Sequence, residues 1–199
     1  MKVRWRSPDR DRVPTGRADT IAPVLEDELP LYPDVPPLRS FELPVSGGHV
    51  LHVREWGSVR GQPVLLLHGG PGSGCSPLLW RFFDPARYRV IAADQRGAGL
   101  SRPHGEVAHN DLAALLADLR RMRQQLGLPR WLVAGGSWGA TLALAHALDM
   151  PDAVAGLLLC ASFLARREDI SGFFAPDDAA SLAAWRELLA AGQGAPGAS

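Results

Sequence analysis

The sequence predicts an α/β domain with a mostly parallel sheet and flanking helices. Two observations carry this: short apolar runs alternate with longer stretches of helical periodicity, and inner runs such as Val64–Leu67 and Val90–Ala93 lack the polar alternation of a half-exposed strand. Length agrees, because 199 residues hold one ordinary domain and leave little room for a second of similar size.

In order along the chain, residues 1–30 mix Arg, Asp and Pro with few large apolar side chains, a composition expected to form a disordered N-terminal arm. The core is expected over residues 31–162. Strands are predicted at Phe41–Val45, Val50–Arg54, Val64–Leu67, Val90–Ala93, Leu132–Ala134 and Gly156–Cys160, the middle four as continuous hydrophobic strands, of which Val64–Leu67 and Val90–Ala93 suit the sheet interior. Between Asp111 and Leu126, Leu112, Leu115, Leu116, Leu119, Met122 and Leu126 recur at three- and four-residue steps, which predicts a helix with Asn110 as its N-cap and Gly127 as its stop. A second helix is expected from Trp138 to about Asp149, before Pro151, and a third over 178–190. The Gly/Gln/Ala/Pro/Ser composition of 192–199 predicts a disordered tail.

Composition excludes several functions. Lys plus Arg and Asp plus Glu both number 21, so no net charge draws the chain to nucleic acid or to an anionic membrane. Lys2 is its one lysine, which excludes a G-x-x-x-x-G-K-[ST] phosphate loop and Schiff-base chemistry in the body of the chain. The G-x-G-x-x-G pattern fails at its last position from Gly70, Gly72 and Gly97. Cys75 and Cys160 form no C-x-x-C, so neither a zinc site nor a disulfide framework is expected, and no metal or other cofactor is assigned. With no apolar run near the roughly 20 residues of a membrane span and no signal-peptide pattern at the start, a cytoplasmic protein is expected.

Gly135-Gly136-Ser137-Trp138-Gly139 is a G-x-S-x-G placed directly between an apolar strand and an Ala/Leu-rich helix. In a nucleophile elbow this turn strains the serine backbone and presents its hydroxyl, and the helix start adds positive potential and a free N–H beside it. His68-Gly69-Gly70-Pro71-Gly72 follows the strand ending at Leu67, where glycines let a backbone N–H approach an oxyanion. Asp94-Gln95-Arg96-Gly97-Ala98-Gly99-Leu100-Ser101 ends the next strand, with Asp94 and Arg96 expected to brace the loop rather than react.

Together with Cys75-Ser76-Pro77, Arg81–Pro85 and Gly135–Leu144, these motifs closely resemble the prolyl iminopeptidases, over about Leu31 to Arg167. The resemblance implies an α/β-hydrolase fold and a serine aminopeptidase acting on peptides with N-terminal proline. Ser137 would be its nucleophile, and the Gly70 and Trp138 N–H groups its oxyanion hole. It further implies that 163–191 begin a helical cap, that the final strands and most of the cap are missing, and that the catalytic Asp and His lie beyond this sequence. On that expectation the chain is the front part of a longer enzyme, through truncation, a frameshift or a split gene, and a complementing C-terminal fragment is a candidate partner.

No histidine here suits the base. His146 lies nine residues past Ser137 in the same predicted helix, His49 and His52 fall on opposite faces of an extended segment, His68 is expected to make a structural hydrogen bond, and His104 and His109 are expected in a solvated loop. Cys75 is expected to be a packed loop residue and Cys160 a core residue. Two alternatives stay open: a catalytically silent remnant or binding subunit, and another α/β-hydrolase such as an esterase or amidase. Serine in place of aspartate at the elbow disfavours an epoxide hydrolase.

Overall fold

A computed structural model describes residues 31–164. The expected arm, the tail, the 178–190 helix and all but the first two residues of the expected cap segment lie outside the described residues. Six strands form one sheet: β1 (Arg39–Pro44), β2 (Val50–Gly57), β3 (Gln62–Leu67), β4 (Tyr88–Ala93), β5 (Trp131–Gly136) and β6 (Val154–Cys160). Their order is β1-β2-β4-β3-β5-β6. The pairs β1/β2 and β2/β4 are antiparallel, whereas β3/β4, β3/β5 and β5/β6 are parallel. The runs Val64–Leu67 and Val90–Ala93, expected in the sheet interior, lie in β3 and β4, its two central strands.

Every predicted strand is found, most of them longer than the apolar run that marked them. Strand β2 continues through Glu55 and Trp56, both buried. Apolar run length missed Glu55 because its charge is held inside: Arg39 and Arg89 donate to its two carboxylate oxygens at 2.5 and 2.6 Å. A short helix, α1 (Pro77–Trp80), was not predicted and is capped by Ser76, whose Oγ accepts from the Leu78 N–H.

Helix α2 (Leu112–Gln125) lays Leu115, Leu119 and Met122 against the sheet beside Val53, Leu65, Ile91 and Val133. Its N-cap is Asp111, not Asn110: the Asp111 carboxylate accepts from the Ala114 N–H at 2.8 Å, while Asn110 donates its side-chain amide to the Arg96 carbonyl. Gly127 follows the helix with φ of 62°, as a stop requires. Helix α3 (Trp138–Asp149) has the predicted bounds. Its Leu142 and Ala143 join the same core, and Trp56, Val64, Leu66, Trp80, Val90 and Ala92 build a second one on the other face.

Among the described residues β6 pairs only with β5, so its outer edge carries free backbone groups flanked by exposed Leu157 and Leu158. Cys160, expected in the core, is exposed: among the described residues no strand lies beyond β6 to cover it. Open apolar edges associate. Purified residues 1–199 are therefore expected to be oligomeric or poorly soluble, and a monodisperse monomer by light scattering at tens of micromolar would contradict this.

Candidate active site

Ser137 sits between the last residue of β5 and the first of α3, with φ of 53° and ψ of −122°. A non-glycine residue in this region costs on the order of 1–3 kcal/mol and persists only where its surroundings dictate it. Here the neighbouring backbones do so. A methyl group on Gly139 would lie 2.2 Å from the Leu67 carbonyl oxygen, and one on Gly135 would lie 2.3 Å from that of Gly139. The turn is thus pressed onto the end of β3 at a distance only glycine permits. The Ser137 N–H donates to the Cys160 carbonyl at 3.2 Å, and its own carbonyl accepts from Ala140. Thr141 donates its hydroxyl to the Phe163 carbonyl, holding the segment after β6 against α3.

The glycine loop after β3 lies over this turn. A methyl group on Gly69 would come within 3.2 Å of the Gly136 carbonyl oxygen and 3.4 Å of Ser137 Cβ. Among the described residues neither the Gly70 N–H nor the Trp138 N–H is hydrogen-bonded. The structure therefore gathers Ser137, Trp138 and the Gly69–Gly70 loop at the carboxyl ends of β3 and β5. An open cavity of about 500 Å³ lies beside Trp138, bounded also by Pro71, Gly72, Gln95, His104 and Leu112.

The loop after β4 is a brace. Asp94 accepts the Cys75 N–H at 2.7 Å and the Leu100 N–H at 3.0 Å, and a methyl group on Gly99 would collide with its carboxylate at 2.5 Å. Arg96 makes a two-pronged pair with Asp118 of α2 at 2.6 and 2.7 Å, and also donates to the His109 carbonyl and to Ser46 Oγ. Asp118 went unnoticed in the sequence, although a lone acid on the Leu115/Leu119/Met122 stripe is a legible sign of a buried partner. Gln95 was equally unassigned: it donates to the His68 carbonyl through its side chain and accepts the Trp138 indole N–H at 3.0 Å.

All six histidines of the chain lie among the described residues. His49 is buried and donates to the Ala108 carbonyl, His104 is exposed beside the Gly99 carbonyl, and His109 is exposed in the loop before α2. His146 accepts the Trp131 indole N–H at Nε2, inside the core. His68 accepts the Gln95 N–H at Nε2, so its proton sits on Nδ1 and is donated to the Gly69 carbonyl. His52, on β2, is separated from β5 by β4 and β3.

His68, Cys75 and Asp94 place ligand-type atoms within 4.8 Å of one another. Both His68 nitrogens and both Asp94 oxygens already hold hydrogen bonds, so the cluster is spent on the loops. The Cys75 thiol is pushed far up by burial, then by Asp94, and stays protonated as a packing group.

Burial lowers the pKa of both His68 and His146 below the usual 6.5, against the opposing pull of the Gly69 carbonyl and Asp94 on His68 and of Asp149 on His146. The unfolded chain takes up these protons near 6.5 and the folded one resists, so their contribution is complete above that pH and is lost as pH falls towards the folded values. Urea midpoints are expected to drop between pH 7 and pH 5, less steeply in His146→Phe; equal slopes in the two proteins would remove His146 from this account.

A family model described as alpha/beta hydrolase fold matches residues 62–193. The chain belongs to the alpha/beta hydrolase fold family. A probable proline iminopeptidase of Leptolyngbya boryana is 44% identical over 162 residues, covering 80% of this chain and 50% of the relative. A proline iminopeptidase of Xanthomonas citri is 46% identical over 144 residues, covering 72% and 46%. The chain therefore spans about half the length of these curated relatives. Among solved structures, a putative epoxide hydrolase from Pseudomonas aeruginosa superposes with a TM-score of 0.54 at 33% identity, covering 78% of this chain and 51% of that one. A proline iminopeptidase-related protein from Thermus thermophilus gives 0.56 at 24% identity, covering 78% and 66%, a likeness of fold alone. As an alpha/beta hydrolase the chain has its sheet order and its strand-to-helix turn at β5 accounted for. Among its described residues no helix is long and apolar enough to cross a membrane.

Proposed function

We propose that this hydrolase carries the nucleophile and oxyanion half of a serine aminopeptidase that releases N-terminal proline from peptides. The observation that carries the reading is the backbone of Ser137, held at φ 53° between β5 and α3 under a glycine loop, in a chain 43–46% identical to relatives named proline iminopeptidases. Ser137 Oγ would attack the carbonyl carbon of the N-terminal prolyl residue. The oxyanion so formed would be met by the Gly70 and Trp138 N–H groups, two donors from different elements already free of other bonds. A base must take the hydroxyl proton and return it to the leaving amine. His49, His68, His104 and His146 hold other partners and His52 lies three strands from β5, so the reading assigns that role to residues supplied from outside residues 1–199, in the same polypeptide or in a complementing C-terminal fragment. A cytoplasmic setting belongs to the same proposal, supported by Cys75 and Cys160 as free thiols.

The test is complementation. The C-terminal half of the Xanthomonas citri relative, co-expressed with residues 1–199, is expected to yield hydrolysis of a proline-linked chromogenic amide that Ser137→Ala abolishes. A co-purifying but inactive pair would favour the silent binding subunit instead.

A further inference from the structure

We infer that His68 is a positioning residue that aims the Gly70 N–H at the oxyanion, acting through the Gly69 carbonyl; this rests on the reading of Ser137 as nucleophile. The Gly69 carbonyl and the Gly70 N–H belong to one planar trans peptide, so they point in opposite directions. Whatever fixes the carbonyl fixes the donor. The Gly69 oxygen accepts two hydrogen bonds, from His68 Nδ1–H at 2.9 Å and from the Ser73 hydroxyl at 2.7 Å. The glycines at 69, 70 and 72 supply no side chain to hold that plane, and Gly70 and Gly72 have φ of 113° and 95°, open to alternatives that other residues would forbid.

The histidine donates at Nδ1 only because its other nitrogen is claimed. The Gln95 N–H donates to Nε2 at 2.9 Å in a buried setting, which leaves the single proton of the neutral ring on Nδ1. The Gln95 side chain binds the same unit again, donating to the His68 carbonyl at 2.9 Å while accepting the Trp138 indole N–H at 3.0 Å. One residue of the β4 loop thus ties the loop bearing Gly70 to the residue bearing the second donor. His68 and Gln95 are 1% and 7% exposed, so water does not compete for these bonds.

Two variants separate the two ring nitrogens. His68→Asn keeps a donor where Nδ1 stands, and His68→Gln keeps an acceptor where Nε2 stands; both lose half of the histidine's bonding, so a purely structural role predicts similar behaviour. The probe is proline boronic acid, whose tetrahedral adduct on Ser137 needs the oxyanion donors, with proline amide as a planar control. His68→Gln is expected to weaken boronate affinity about 10- to 100-fold relative to His68→Asn, with proline amide affinity equal in the two. In the same samples, the Gly70 amide cross-peak in ¹H–¹⁵N spectra is expected at its wild-type position in His68→Asn and displaced in His68→Gln. Equal boronate affinities, or a Gly70 signal that does not distinguish the variants, would overturn the inference. Should the unsubstituted chain, complemented by the C-terminal half of the Xanthomonas citri relative, form no boronate adduct, the nucleophile reading fails, and the Gly70 signal still decides whether His68 sets the peptide plane.

Discussion

Residues 1–199, purified and given a proline-linked chromogenic amide, are expected to hydrolyse it near background, about 10⁶-fold below a relative that carries its base. The expectation follows from where the protons can go. A serine hydroxyl is a poor nucleophile until a neighbouring base accepts its proton, and the histidines here are engaged otherwise, His49 with the Ala108 carbonyl and His104 with the Gly99 carbonyl. His146 is inside the core on Trp131, and His68 has both nitrogens engaged. His52 is three strands from β5, roughly 14 Å at the usual strand spacing. The oxyanion hole and binding alone would leave a residue of roughly 10³–10⁴ over water. Substitution Ser137→Ala is the control: turnover well above background that this change abolishes would reveal a base among residues assigned here to other partners.

Much of this site was legible in the sequence because its constraints are local. A strand, a glycine-flanked serine and a helix in direct succession dictate a turn whatever the rest of the chain does, and the helix bounds Trp138–Asp149 followed from that turn and from Pro151. Strand positions were legible for the same reason, although their ends were not, because residues such as Glu55 and Trp56 enter the sheet only when partners from distant strands are present. The polar braces were hidden by distance along the chain. Gln95 meets residues 27 and 43 positions away, and Arg96 meets Asp118 across 22. Cys160 was misplaced because an apolar strand reads as interior, whereas exposure depends on whether a neighbour lies beside it.

Arg96→Ala is expected to lower stability by about 3–5 kcal/mol, the usual cost of orphaning one member of a buried ion pair. Arg96 and Asp118 are 2% and 3% exposed, and the guanidinium also satisfies the His109 carbonyl and Ser46 Oγ, so its removal leaves a carboxylate among Leu115, Leu119 and Met122 without its partner. By contrast Arg120→Ala, which breaks an exposed pair with Asp149, is expected to cost under about 1 kcal/mol in the same urea titrations. The pH dependence tells why stability is lost. Burial already raises the Asp118 pKa while Arg96 pulls it down, so without Arg96 the carboxyl rises further above its unfolded value. A group with a raised folded pKa stabilises the fold at low pH and loses that contribution as pH rises through the folded value, so the deficit of Arg96→Ala relative to the parent should be largest near pH 7.5 and narrow towards pH 5. A deficit constant across that range would mean that lost packing and backbone contacts, rather than an unpaired charge, account for the cost.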